Sequence, residues 1–156
     1  MMFSAMKRSQ QVIPFRRCFS TMSVSDLAGV KSNDVISSGD TKWVASYMQA
    51  AVQSGDSTGA HGENLNEYFR KNFRKLSSTQ AMDFINSLDK VTEPAACLDK
   101  FWIWESLEEA IRGEMDTINE DDFKTTKKVF CGQYKGSSDM IDMMEYRIYA
   151  SKEFSM

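Results

Sequence analysis

The chain has 156 residues, in which 19 Lys and Arg face 22 Asp and Glu, for a formal net charge of −3. That length suits one domain with a real core, and an acidic balance repels phosphate backbones and anionic lipid surfaces unless cations gather on one patch. No stretch approaches the roughly eighteen uninterrupted apolar residues of a membrane-crossing helix, since the longest candidate, Trp43 to Val52, is broken by Ser46 and Gln49.

Taken in chain order, the first segment is an address. Residues 1–25 carry Lys7, Arg8, Arg16 and Arg17, many Ser and apolar residues, and no acid before Asp26. Arg- and Ser-rich, acid-poor, amphipathic N-termini are mitochondrial transit peptides, because the negative-inside potential draws a cationic helix inward. Arg17-Cys18-Phe19-Ser20 resembles the matrix processing peptidase site, which places cleavage between Phe19 and Ser20 and makes residues 1–19 the transit peptide. Losing its four cations takes the net charge from −3 to −7. Cys97 and Cys131 then remain, without the CxxC or paired arrays of a zinc or disulfide framework, and a reducing matrix leaves them as small buried hydrophobes.

Residues 20–39 mix Gly, Ser and Asn without either period and read as an extended lead-in. An all-α domain of five to six helices, arranged as antiparallel helical hairpins, is expected over residues 40–152, with a tail at 153–156. Asp40 is the first predicted N-cap, and Trp43, Val44, Tyr47, Met48, Ala51 and Val52 follow at helical spacing up to Gly55. Ser54 to Gly62 reads as a Gly-rich loop holding the only histidine, His61. A second stripe, Leu65, Tyr68, Phe69, Phe73 and Leu76, predicts a helix over 64–75. Ser77 with Gln80 forms a capping-box pattern for a third helix, which Pro94 breaks. The fourth spans about 96–112 with Gly113 as its C-cap, Asn119 with Asp122 opens the fifth, and the YKGSSD turn leads to a sixth with Met140, Ile141, Met144 and Ile148.

An internal repeat lies inside this pattern. Leu76 to Ala81 lines up with Ile118 to Phe123 at a separation of 42, and Trp104, Leu107 and Ile111 match Ile141, Met144 and Ile148 at 37. A period near 40 is that of helix-pair solenoids, although any helical bundle yields some such coincidences. With the terminal Glu145, Arg147 and Ile148, residues 64 to 150 resemble the degenerate helical-repeat proteins of mitochondria, the heptatricopeptide and octotricopeptide types. The chain is equally similar to the short all-helical accessory subunits that unicellular eukaryotes add to respiratory complexes and ATP synthase. The first resemblance implies RNA binding on a concave basic surface and the second implies contact with other subunits. Neither supplies a catalytic residue.

Chemistry is hard to find. The histidine has no neighbouring His or Cys to complete a metal shell, and the sequence has no Walker loop, dinucleotide fingerprint or nucleophile elbow, so no catalytic residue, cofactor or metal site is assigned. Glu105, Glu108 and Glu109 share a helix without the Glu-x-x-His partner of a di-metal bundle, and read as a solvated face with Glu108 and Arg112 paired. Arg70, Lys71, Arg74 and Lys75, interleaved with Tyr68, Phe69 and Phe73, form the one concentrated basic run. It reads either as the solvated back of an amphipathic helix or as a contact for RNA, anionic lipid or an acidic partner. Phe101-Trp102-Ile103-Trp104 is the most unusual feature, because residues two apart point about 200° around a helix and the two indoles therefore need different cover. Trp104 shares a stripe with Leu107 and Ile111, whereas Trp102 lies nearer Lys100, Glu105 and Glu109. One face packs internally; the other meets a partner subunit or a third layer such as the Trp43 helix.

Together these features lead to the expectation of a noncatalytic accessory subunit of a large mitochondrial inner-membrane assembly, a respiratory complex or ATP synthase. It would sit in the matrix or on the matrix face of the inner membrane, peripheral to the bilayer and bound to other subunits through Phe101, Trp102 and Trp104. The alternative is an organellar RNA-binding helical-repeat protein or mitoribosomal subunit.

Overall fold

The computed structural model describes residues 22–55, 59–91, 96–133 and 138–154. The expected transit peptide, the Phe19–Ser20 junction, the Pro94 break and most of the YKGSSD turn lie outside them. The described residues form seven α-helices: α1 (Ser32–Ile36), α2 (Thr41–Ser54), α3 (Ala60–Lys71), α4 (Ser78–Leu88), α5 (Phe101–Gly113), α6 (Glu120–Gly132) and α7 (Ser138–Phe154). Three 3₁₀ turns, Val24–Gly29, Ala96–Leu98 and Met115–Thr117, join them, and no strand occurs among the described residues. The chain is all-α.

Helix starts follow the capping chemistry. Asp40 Oδ1 accepts from the amides of Lys42 (3.1 Å) and Trp43 (3.2 Å), and Asn119 Oδ1 accepts from Asp122 (2.8 Å). Ser77 and Gln80 close a reciprocal box, the Gln80 amide donating to Ser77 Oγ (3.1 Å) and the Ser77 amide to Gln80 Oε1 (2.9 Å). Gly55 ends α2 in the left-handed region at φ 83°, where a side chain is strained. Gly113 is instead the last residue of α5, and Glu114 is its cap.

Two expectations are corrected. Residues 24–36 are not extended: Asp26 accepts from the Ser23 amide and Asp34 from the Lys31 amide, each at 3.0 Å. Each bond closes a short helical turn, whose Leu27 (6% exposed) or Val35 (0%) joins the core. The loop before α3 is also shorter than its glycines suggest, since Gly59 already serves as the left-handed N-cap and His61 lies in the helix's first turn.

The helix count exceeds the five or six expected, and hairpin partners are not the main packing pairs. The most extensive packing is between helices two apart, α2 on α4 and α3 on α5, with α4 on α6 comparable to any hairpin pair. Contacts along α3 and α5 advance together: Glu63 meets Lys100, the Trp102 amide meets Asn66, Ser106 meets Phe69 and Arg74 meets Glu109. The two therefore run side by side in one direction. The same holds for α4 with α6 and the Met115–Thr117 turn before it, where Ser78 meets Thr117, Met82 meets Thr126 and Asp89 meets Lys128. Consecutive helices are antiparallel where their contacts are seen, as when Tyr149 of α7 reaches back to Glu120 and Phe123 at the start of α6. The outcome is two rows, α2–α4–α6 and α1–α3–α5, with α7 packed on α6 beside the end of the second.

The core between the rows is aromatic, with Phe69 edge-on to Phe84 (centroids 4.8 Å) and to Tyr68 (5.3 Å), all three essentially buried. Burial, helped by the Asp40 carboxylate, pushes the Tyr68 hydroxyl up to about 12. Gly62 is where α3 meets the Ala96–Leu98 turn: a Cβ there would stand 2.6 Å from the Cys97 carbonyl oxygen and 3.2 Å from its Cα. Both obstacles are backbone, which cannot swing aside. Gly62→Ala is thus expected to lower the unfolding free energy by about 1–3 kcal/mol despite the better helix propensity of Ala, as read by urea denaturation.

Candidate functional site

The two stretches singled out in the sequence meet along the outer seam between α3 and α5. The Trp102 amide, an orphan at the start of α5, donates to Asn66 Oδ1 (3.0 Å). The Trp102 ring stands edge-on to both Phe73 (centroids 5.4 Å) and Phe101 (4.9 Å). Trp102 is half-buried against the core, whereas Phe101 is 66% exposed. Trp43, a suggested cover for Trp102, instead stacks on Tyr47 at 6.0 Å; the cover is Phe73.

Trp104 faces the opposite way. It is 6% exposed, its indole Nε1–H donates to the Leu98 carbonyl (2.6 Å), and its ring meets Phe130 edge-on at 5.3 Å. Of the three aromatic residues expected at a partner surface, Phe101 and Trp102 face the seam and Trp104 belongs to the core.

The basic run resolves into charged pairs. Arg70 pairs with Glu67 one turn earlier, and their hydrogen bond holds the Glu67 carboxyl below its usual range and the Arg70 guanidinium above its own. Arg74 Nε–H donates to Glu109 (3.1 Å) while its guanidinium carbon lies 5.1 Å from the Phe73 ring centroid. Lys100 pairs with Glu63. Lys71 and Lys75 are exposed and form no ion pair with a described residue. Arg74 has φ 66°, alone among the described non-glycine residues in being left-handed, at a cost of about 1–2 kcal/mol.

Elsewhere the polar groups of interest are engaged in holding the fold. His61 is half-buried, not a loop residue: Tyr47 Oη lies 2.6 Å from its Nδ1 and accepts from Asn64 Nδ2 at 3.1 Å. Glu108 pairs with Arg112 (3.0 Å), as their spacing predicts. No group of three His, Cys, Asp or Glu side chains among the described residues is placed to hold a metal ion. Cys97 is buried but Cys131 is exposed, against the expectation for both, because it follows Phe130 on the outward side of α6.

Sequence reasoning missed Phe73 as part of this surface. The stripe at 65, 68, 69, 73 and 76 makes it a core residue, and only the side-by-side register of α3 and α5 turns it towards Trp102. Comparison of the chain with protein-family models, curated proteins and solved structures gives no match in any of the three.

Two substitutions separate cover from contact. Trp104→Ala is expected to cost about 3–5 kcal/mol in chemical denaturation, and Trp102→Ala roughly half of that, since its ring stays partly hydrated. Arg74→Gly relieves the left-handed strain and gives up an exposed ion pair and an exposed contact with the Phe73 ring, each worth little, so it is expected to leave stability unchanged or raise it by about 0.5–1 kcal/mol. A clear loss of melting temperature in Arg74→Gly would show that the guanidinium holds the seam together.

Proposed function

We propose that the protein is a noncatalytic accessory subunit of a mitochondrial inner-membrane assembly, a respiratory complex or ATP synthase, docking through the α3–α5 seam. The observation that carries this reading is Phe101. It stands 66% exposed at the start of a helix, braced edge-on by a tryptophan that is itself braced by Phe73. An aromatic residue held rigid by its neighbours loses little side-chain entropy on binding, and such residues are enriched among interface hot spots. The acid-free, Arg- and Ser-rich start of the chain supports the mitochondrial address. No helix among the described residues is long and apolar enough to cross a membrane, in keeping with a peripheral subunit.

RNA binding by the basic run has less support. Arg70 and Arg74 spend their charge on Glu67 and Glu109, which leaves Lys71 and Lys75 to neutralise phosphates in an acidic protein.

The test is migration on native gels of mitochondrial membranes from cells expressing the wild type or Phe101→Asp. The wild type is expected in a high-molecular-weight complex and the variant free of it, with equal circular dichroism and melting temperature for the two purified proteins. Terminal sequencing of the assembled protein should find Ser20 or a residue close to it. A wild-type protein that runs alone, or a Phe101→Asp variant that stays in the complex, overturns the docking reading.

A further inference from the structure

The α3–α5 seam offers hydrogen-bond donors as well as rings. Trp104 gives its indole Nε1–H to the Leu98 carbonyl, whereas the Nε1–H of half-buried Trp102 has no hydrogen bond to a described residue and is open to solvent. A buried tryptophan usually finds an acceptor for that group. Arg74 hydrogen-bonds Glu109 through Nε alone. This leaves the N–H groups of its two terminal nitrogens without an acceptor among the described residues, on a side chain 71% exposed. Glu109 already balances the guanidinium charge, so the group suited to those N–H donors is a neutral oxygen.

Resting on the docking reading of this seam, we infer that the partner subunit meets it with an extended, proline-containing segment. Such a segment winds as a left-handed helix without internal hydrogen bonds, so its main-chain carbonyls are free to accept. An α-helix has spent its carbonyls internally, and a β-strand brings N–H groups for which the paired carbonyls of α3 and α5 have no use. Proline has no N–H to leave unpaired. Aromatic-lined grooves are how proline-rich segments are bound, at a low cost in chain entropy because the segment is already extended.

The spacing fits. Phe73, Trp102 and Phe101 follow one another at centroid steps of 5.4 and 4.9 Å. The outer rings therefore stand at most about 10 Å apart, and one turn of the proline helix, three residues, advances about 9.3 Å. Prolines at i and i+3 thus match the two outer rings and leave the carbonyls between them for Trp102 and Arg74. The footprint is a few side chains, far below the roughly 1,600 Å² of a standard interface. A lone segment accordingly binds weakly, with a dissociation constant on the order of 100 µM to 1 mM.

The probe is decaproline, acetylated and amidated, titrated into the isotopically labelled full chain while the indole N–H resonances of its three tryptophans are followed by NMR. The Trp102 signal, identified by its loss in Trp102→Phe, should shift and saturate while that of Trp104 stays in place. Read from the main-chain amides, Trp102→Phe, which keeps a ring but no donor, should weaken binding about threefold. Phe101→Asp should weaken it about tenfold or more, and circular dichroism checks that both variants keep their helix content. A glycine–serine decamer offers the same carbonyls without the proline helix and should not bind. A Trp102 signal unmoved at about 5 mM decaproline, an affinity unchanged in either variant, or equal binding of the glycine–serine peptide overturns the proposal. A protein that joins its complex through Phe101 yet ignores decaproline keeps the docking reading and loses the proline segment. One that binds decaproline but runs alone on native gels keeps the peptide site and loses the assembly.

Discussion

Side chains that bond to the backbone of a neighbouring helix hold this fold in register. Ser106 donates its hydroxyl to the Phe69 carbonyl (2.6 Å), Asn66 accepts the Trp102 amide (3.0 Å), and Glu114 accepts the Ser78 amide (2.6 Å). Apolar packing alone lets two helices slide by a turn at modest cost, whereas a buried hydroxyl or an orphan amide has one satisfactory partner. The first two bonds fix α3 against α5, and the third closes the start of α4 on the end of α5. The close backbone approach at Gly62 and the edge-on ladder of Phe73, Trp102 and Phe101 follow from that alignment.

Much of this was legible in the sequence, and the part that was not has a common cause. Asp40, Ser77, Gln80 and Asn119 announce helix starts because a cap is a contact among residues two or three apart. The stripes through Tyr47, Phe84 and Leu107 likewise announce which side is buried. Asp26 and Asp34 carry the same chemistry, yet the segments they close are so short that no period develops around Leu27 or Val35. His61 and Phe73 depend on partners 14 and 29 residues away, Tyr47 and Trp102, and nothing next to them indicates that distance. Trp102 and Trp104 are the intermediate case: their divergence follows from helical geometry, while the side that needed outside cover became visible only with the rows in place.

The charges show how composition misleads when read locally. A run of four cations in six residues suggests a site for anions. In the fold, its two arginines are balanced by Glu67 within α3 and Glu109 across the seam, and Glu63 with Lys100 continues the alternation. Exposed pairs of this kind add little stability. Their effect is to leave the border of the aromatic ladder close to neutral, so that the chemistry of the seam is set by its rings.

The row arrangement also governs how the molecule opens. α2 and α4 are each gripped by a helix two places along the chain, but α7 has only limited contact with α6 and a few side-chain contacts with the end of α5. In a linear array the end unit lacks one of its two neighbours, and its amides exchange with solvent by fraying and not by global unfolding. The edge helix is thus the least protected part of the described core, and whatever covers its outer face adds directly to the protection of its backbone.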